Sequence, residues 1–176
     1  MNMDSNRFRA RARQLRLMAF DVDGILTDGR LYYGPDGEVL KVFHTLDGHG
    51  LKMLAASGVT LALITGRNSA MVSRRAAELG IEHVIQGRED KGHALATLAA
   101  ELGLEADAVG YAGDDLPDIP ALNWAALGFS VPNGHIQARA AADLVTQTGG
   151  GQGAAREICD LLLEARQPEQ SDDEHP

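Results

Sequence analysis

Phe20-Asp21-Val22-Asp23-Gly24-Ile25-Leu26-Thr27-Asp28 follows an apolar run, Leu15 to Phe20, broken only by Arg16. A run of that length and character reads as a buried strand of a parallel sheet. Asp21 and Asp23 stand where the strand should end. With one residue between them, both carboxylates can face the crevice beyond the strand end only if the chain leaves regular strand geometry there. Gly24 is the residue most able to permit that turn. Carboxylates forced together repel unless a cation or a shared proton relieves them. Mg²⁺, which takes oxygen ligands, is the natural partner. An exposed acidic turn after a strand is the plain alternative.

Beyond this stretch, Arg30 to His44 breaks the rhythm of the chain. Leu31-Tyr32-Tyr33 and Val39 to Phe43 are rich in β-formers and flank Gly34-Pro35-Asp36-Gly37, a strong turn signal. The segment reads as a β-hairpin that projects beside the acidic loop as a flap. From Asp47 onward helix and strand patterns alternate. Helices are expected over 51–55, 69–79, 91–102, 118–124, 133–140 and 153–165, and strands over 59–64, 81–85, 108–112, 127–131 and 143–145. Such alternation implies an α/β fold, a doubly wound parallel sheet built from βα units with right-handed crossovers.

Three later stretches bear on the acidic pair. Thr65, in Ile64-Thr65-Gly66-Arg67, closes the second strand-like run, and Lys91 stands at a helix start. Gly113-Asp114-Asp115-Leu116-Pro117-Asp118 closes a later strand-like run. Each has a duller explanation: a turn threonine, a solvated lysine, a helix-capping acidic pair. In a doubly wound sheet, however, ligands bind beyond the carboxyl ends of the strands. Asp21, Asp23, Thr65, Lys91 and Asp114 would therefore meet in one crevice.

The chain has 176 residues, 44% of them apolar, the size of a single domain with a real core. Sixteen basic against 25 acidic residues give a formal charge of −9, which argues against nucleic acid or an anionic membrane as partner. Residues 1–14, with four of the five clustered arginines Arg7, Arg9, Arg11, Arg13 and Arg16, read as a basic, solvated tail, and 167–176 as an acidic one. Residues 15–166 form the expected domain, with 30–44 as its hairpin flap. No secretory or membrane-length apolar stretch is present, so the expected setting is cytoplasmic. Cys159 stands alone and has no disulfide partner in the chain. His44 and His49 read as ordinary polar residues of a loop. Gly149-Gly150-Gly151-Gln152-Gly153 lacks the full glycine fingerprint of a dinucleotide loop and its acidic partner.

Asp-x-Asp-Gly-x-Leu-Thr after a first strand, followed in order by Thr65, Lys91 and Asp114-Asp115, resembles the haloacid dehalogenase (HAD) phosphatase superfamily over roughly residues 15 to 165. The resemblance implies phosphoryl transfer. Asp21 attacks phosphorus to form an aspartyl-phosphate. Asp23 protonates the departing alkoxide and then deprotonates the hydrolytic water. Mg²⁺ is assigned to the Asp21 carboxylate, the Asp23 carbonyl and the Asp114 carboxylate. Thr65 and Lys91 neutralise charge on the transferred group. Asp115 and Asp118 orient metal waters or Lys91.

No lid or cap domain is inserted between these motifs. The wording of Asp21 to Asp28, Phe43 to Lys52 and Gly150 to Glu157 is similar to the lidless branch that contains the 3-deoxy-D-manno-octulosonate 8-phosphate phosphatases. That branch implies a homotetramer with hairpins packed together, and a sugar-acid phosphate substrate on the route to lipopolysaccharide. An acylneuraminate phosphate is the alternative substrate. Lys41, Arg67 and Arg156 are the candidate cations for the sugar-acid carboxylate. Leu46 and Gln152 stand where that branch carries basic residues, so weaker selectivity for the carboxylate is expected. A receiver-like phosphoacceptor domain shares clustered Asp residues, Thr and Lys, but its acidic pair and acceptor Asp precede them; here Asp114-Asp115 follows both.

Overall fold

The computed structural model describes residues 4–167 of the chain. In chain order its elements are α1 (Ser5–Gln14), β1 (Leu17–Phe20), β2 (Tyr32–Gly34), β3 (Gly37–Leu40), α2 (Thr45–Ala56) and β4 (Thr60–Ile64). Then follow α3 (Ala70–Leu79), β5 (His83–Ile85), α4 (Lys91–Glu101), β6 (Val109–Ala112), α5 (Ile119–Trp124), β7 (Leu127–Ser130), α6 (Ile136–Ala141), β8 (Leu144–Val145) and α7 (Ala154–Arg166). Six strands pair in parallel in the order β5-β4-β1-β6-β7-β8, and β2 and β3 form a separate antiparallel hairpin. With the hairpin left out, the order is 3-2-1-4-5-6, the doubly wound arrangement whose crevice opens where the order reverses. That switch point lies between β1 and β6, the strands that lead into Asp21 and Asp114.

β1 is buried on both faces, which is why its sequence is continuously apolar rather than alternating. Met18 and Phe20 face a core shared with α1, α2, α3 and α7, while Leu17 and Ala19 face a core shared with α4, α5 and α6. Burial of large side chains such as Phe20 and Leu17 is worth roughly 1.5–3 kcal/mol each. The central strand is therefore held rigidly from both sides, and the residues that leave its end inherit that rigidity.

Two expectations need correction. Residues 5–14 are not a loose solvated tail but the helix α1. Ala12 is buried, Phe8 packs edge-on against Phe129 with ring centroids 6.3 Å apart, and the arginines bind backbone carbonyls. Arg11 donates to Ala126 O at 2.7 Å, Arg13 donates to Ala165 O at 3.0 Å, and Arg166 donates back to Ala12 O and Leu15 O. An arginine stem can cover apolar surface while its head caps a carbonyl, so the run is amphipathic in a way composition hides. Of the expected acidic tail, only Gln167 falls within the described residues.

The second correction concerns α2, which begins at Thr45, six residues before the expected helix. The His44 ring caps it by accepting from the Leu46 amide at 3.2 Å, and His49 lies within the helix rather than in a loop. Gly48 and Gly50 disguised this stretch as irregular. They are there for close packing: a Cβ on Gly48 would meet the Arg75 guanidinium, and one on Gly50 would meet Arg156. Among the described residues no helix is long and apolar enough to cross a membrane.

Candidate active site

Asp21 directly follows β1, and its amide donates to Ala112 O at 2.9 Å, extending the β1–β6 ladder by one residue. The chain then turns. Leu26 and Thr27 amides close back onto Val22 O, and Gly24 takes a positive φ of 97°. A side chain would be strained there, and it would also have no room, because a Cβ would stand 2.0 Å from Asp114 Oδ2. The turn therefore brings the loop after β1 against the loop after β6, and Asp21 and Asp114 face each other across the switch point.

Asp118 organises the second loop. Its Oδ2 accepts from the amides of Asp114 at 3.0 Å and Asp115 at 2.9 Å, and its Oδ1 accepts from Lys91 Nζ and the Tyr111 hydroxyl, each at 2.7 Å. Lys91 Nζ also pairs with Asp21 Oδ1 at 2.8 Å. Lys91, Asp118 and Asp21 are all buried. Lys91 is thus fixed at the first residue of α4 by two carboxylates from two other elements. Of the two residues expected to orient Lys91 or metal waters, Asp118 holds Lys91, while Asp115 lines the cleft, accepts from the Leu116 amide and forms a reciprocal cap with Asp118. Tyr111 escaped sequence reading, because an aromatic in a buried strand carries no visible sign of a polar partner.

Burial, reinforced by the charge of Asp118, pushes Asp21 well above the usual carboxylate range despite the opposing pull of Lys91. The same two causes raise Asp114 to about 7. Burial pulls the Lys91 ammonium down, but Asp21 and Asp118 outweigh it and keep it charged. The site thus holds more negative charge than its own cation neutralises. Carboxylate oxygens of Asp21, Asp114 and Asp118 lie within 4.8 Å of one another. Asp118 has both oxygens engaged by donors, whereas Asp114 Oδ1 and Asp23 Oδ2 are buried without partners. Hard oxygen donors, crowded and short of positive charge, fit a small divalent cation held by Asp21 and Asp114.

Thr65 follows β4, is buried, and its Oγ1 accepts from the Arg67 amide at 3.4 Å. Asp21, Asp23, Thr65, Arg67, Lys91 and Asp114 all line one cleft of about 310 Å³, together with Leu31 of the hairpin. A larger hollow of about 530 Å³ between α1, β8 and α7 holds none of these residues.

The hairpin contributes chemistry as well as shape. Lys41 Nζ, almost fully buried, pairs with Asp23 Oδ1 and with Glu38 Oε1. Arg67 Nη2 donates to the Tyr33 hydroxyl at 3.0 Å and lies 3.7 Å from Glu38 Oε2. Lys41 is therefore already neutralised by protein carboxylates rather than left for a ligand. Arg156 lies outside the cleft. Its guanidinium pairs with Asp160 at 2.8 Å, and its amide donates to buried Asp47, which caps the start of α7. Leu46, Gln152 and Arg156 share a separate surface hollow of about 370 Å³. The charges absent at 46 and 152 are thus absent from that hollow and not from the cleft, which removes the reason to expect weaker selectivity within one chain.

A family model described as haloacid dehalogenase-like hydrolase matches residues 82–158, which include Lys91, Asp114 and Asp118. The chain is 43% identical over 157 residues to the 3-deoxy-D-manno-octulosonate 8-phosphate phosphatase of Escherichia coli K12, covering 89% of this chain and 84% of that protein. It superposes with a TM-score of 0.90 and 50% identity on the corresponding phosphatase of Moraxella catarrhalis, solved with magnesium, phosphate and KDO, covering 93% of this chain and 94% of that one. The cobalt-bound Haemophilus influenzae phosphatase superposes with a TM-score of 0.86 and 38% identity, over 89% of this chain and 91% of that one. The chain belongs to the haloacid dehalogenase-like hydrolases, in the family of the 3-deoxy-D-manno-octulosonate 8-phosphate phosphatases.

Proposed function

We propose that this chain is a Mg²⁺-dependent phosphomonoesterase that releases phosphate from 3-deoxy-D-manno-octulosonate 8-phosphate through an aspartyl-phosphate on Asp21. The observation that carries the chemistry is the fixing of Asp21 at the switch point by Lys91, itself held by Asp118. A nucleophilic carboxylate must be aimed and must ionise in a buried place; Lys91 aims it and opposes, without overcoming, the burial that raises it, and a bound cation would supply the rest. Asp21 displaces the alkoxide from phosphorus, forming one O–P bond as the other breaks. Asp23, beside the leaving group, supplies the alkoxide proton and then takes one from the water that hydrolyses the acyl phosphate. Thr65 donates its hydroxyl to a phosphoryl oxygen, and Lys91 places a cation beside it. Mg²⁺, held by the Asp21 and Asp114 carboxylates and the Asp23 carbonyl, would neutralise phosphoryl charge.

The substrate reading rests on the relatives named above and on Arg67, the cleft cation nearest the hairpin. Assay of phosphate release from the octulosonate phosphate, with and without Mg²⁺, tests it. Turnover that needs the metal and prefers this substrate to an acylneuraminate phosphate supports the reading, and absence of turnover rejects it. A receiver-like domain is disfavoured by the sheet, because such domains order their strands 2-1-3-4-5. The quaternary proposal is a homotetramer assembled through hairpins. Its support is the row of exposed apolar side chains Leu31, Tyr33, Val39, Leu40 and Val42, unusual for a surface meant to face water.

A further inference from the structure

The glycine-rich stretch that precedes α7 has no role in the chemistry above and carries no dinucleotide pattern. In the fold it is pressed backbone to backbone against the loop that follows β1. A Cβ built on Gly150 would stand 1.7 Å from Gly24 O and 3.1 Å from Thr27 O. The Gly151 amide donates to Ile25 O at 2.9 Å, and the Gly150 amide donates to Asn133 Oδ1 at 3.0 Å. Gly24 in turn has the Asp114 carboxylate in the space of its own missing Cβ. Three groups are therefore stacked: Gly150 on Gly24, and Gly24 on Asp114.

The obstacle a side chain on Gly150 would meet, Gly24 O, is backbone, which cannot swing aside as the tip of a side chain can. Non-bonded carbon and oxygen need more than about 3 Å, and a close-packed interior transmits such a displacement rather than absorbing it. The Gly24 nitrogen belongs to the same peptide as the Asp23 carbonyl. Any shift of Gly24 thus moves that carbonyl and the surface on which Asp114 rests.

We infer that Gly150 is a positioning residue for the cation site: its missing side chain lets the α7 approach loop clamp Gly24 against Asp114, fixing the Asp23 carbonyl relative to the Asp114 carboxylate. The inference rests on the Mg²⁺-dependent reading given above. Gly150 is a clean place to test it, because its φ lies outside the left-handed region. Alanine there adds a steric clash with Gly24 O and no penalty from a left-handed φ. At Gly151, with φ of 69°, both effects would be mixed.

The test is the Mg²⁺ dissociation constant of the substrate-free protein by titration calorimetry, together with the rise in melting temperature that Mg²⁺ produces. It compares wild type, Gly150→Ala and Leu162→Ala, the last loosening the buried face of α7 without touching the loop. Groups that support metal ligands typically change affinity about 10–100-fold when altered. Gly150→Ala should therefore weaken Mg²⁺ about tenfold or more, while Leu162→Ala lowers the melting temperature and leaves the affinity within about twofold. Affinity near wild type in Gly150→Ala, or equal weakening in both variants, overturns the inference. Should Gly150→Ala not fold, Asn133→Ala releases only the anchor of the Gly150 amide. Weakening of about threefold or more is then expected, and unchanged affinity overturns the inference. A wild-type protein that binds no Mg²⁺ brings down the underlying reading as well, which separates the two failures.

Discussion

Lys91 Nζ lies 2.7 Å from Asp118 Oδ1, and the Tyr111 hydroxyl reaches the same oxygen at the same distance. Asp118 thereby accepts four hydrogen bonds from three elements while touching no solvent. Asp118→Asn should be harmful although it is nearly isosteric. Its amide nitrogen must face either two donors from the 114–115 backbone or the donors of Lys91 and Tyr111. Breaking a buried ion pair costs about 3–5 kcal/mol. We expect a destabilisation of that order by denaturant titration, with kcat reduced at least tenfold. A variant that melts like wild type would show that the four bonds are dispensable.

Asp21→Asn should abolish turnover without unfolding the chain. The sign follows from the raised carboxylate: an ionised Asp21 in this burial works against folding, and a neutral amide does not. Stability of the variant relative to wild type should therefore rise with pH. Asp23→Asn should lower kcat by roughly 10²–10⁴-fold, the usual worth of general acid–base help. Trapping of radiolabelled phosphate on wild type but not on Asp21→Asn checks the assignment, and label that persists in the variant rejects it.

The sheet and the convergence of Asp21, Thr65, Lys91 and Asp114 were legible in the sequence, because a parallel strand buried on both faces is apolar throughout and its last residue is marked by the polar one that follows. What was not legible depends on tertiary partners. The α1 arginines bind carbonyls more than a hundred positions away, so their composition reads as a solvated tail. The start of α2 was hidden by Gly48 and Gly50, residues that break isolated helices but here admit Arg75 and Arg156. Lys41 and Arg156 read alike as spare cations. Only their neighbours show that one is neutralised by Asp23 and Glu38 and the other by Asp160.

Asp114, raised to about 7, predicts a pH-dependent metal site. Its folded pKa lies above the unfolded carboxylate range, so its contribution to stability is present below about pH 4 and is lost as pH rises to about 7. The substrate-free protein without metal should lose stability over that window. Mg²⁺ needs the ionised carboxylates, so its binding should strengthen across the same window and release protons. At a hundredfold excess over its dissociation constant the metal adds about 2.7 kcal/mol of stability. The melting-temperature rise with Mg²⁺ should be larger at pH 8 than at pH 5, and an equal rise at both would contradict the prediction.

Assembly through the hairpin predicts that Val42→Asp, or Tyr32→Asp, splits the oligomer while leaving the sheet intact. Both side chains are partly exposed in the single chain, so a charge there costs little folding stability on its own. Light scattering should show a smaller species with unchanged circular dichroism. A wild-type protein that is monomeric and active at assay concentration would reject the assembly.

The last prediction concerns recognition of a substrate carboxylate. Lys41 is held between Asp23 and Glu38, and Arg156 lies in another hollow. Arg67 remains: it lines the cleft, its Nη2 reaches Tyr33 and lies 3.7 Å from Glu38, a looser pairing than those of Lys41, and its buried Nε has no partner. A guanidinium offers the planar, paired donors that suit a carboxylate. A hydrogen bond to a charged group is worth about 1.5–3 kcal/mol, or roughly 10–150-fold in kcat/KM. Arg67→Ala should impose a loss of that order on the octulosonate phosphate and a much smaller one on a phosphorylated sugar without a carboxylate. Arg67→Lys should recover part of the charge but not the paired geometry. Leu46→Arg and Gln152→Lys lie outside the cleft of their own chain, so they should alter this preference only in the assembled protein. Equal losses for both substrate classes in Arg67→Ala would assign the arginine to the phosphate or to the fold, and carboxylate recognition would have to come from a neighbouring chain.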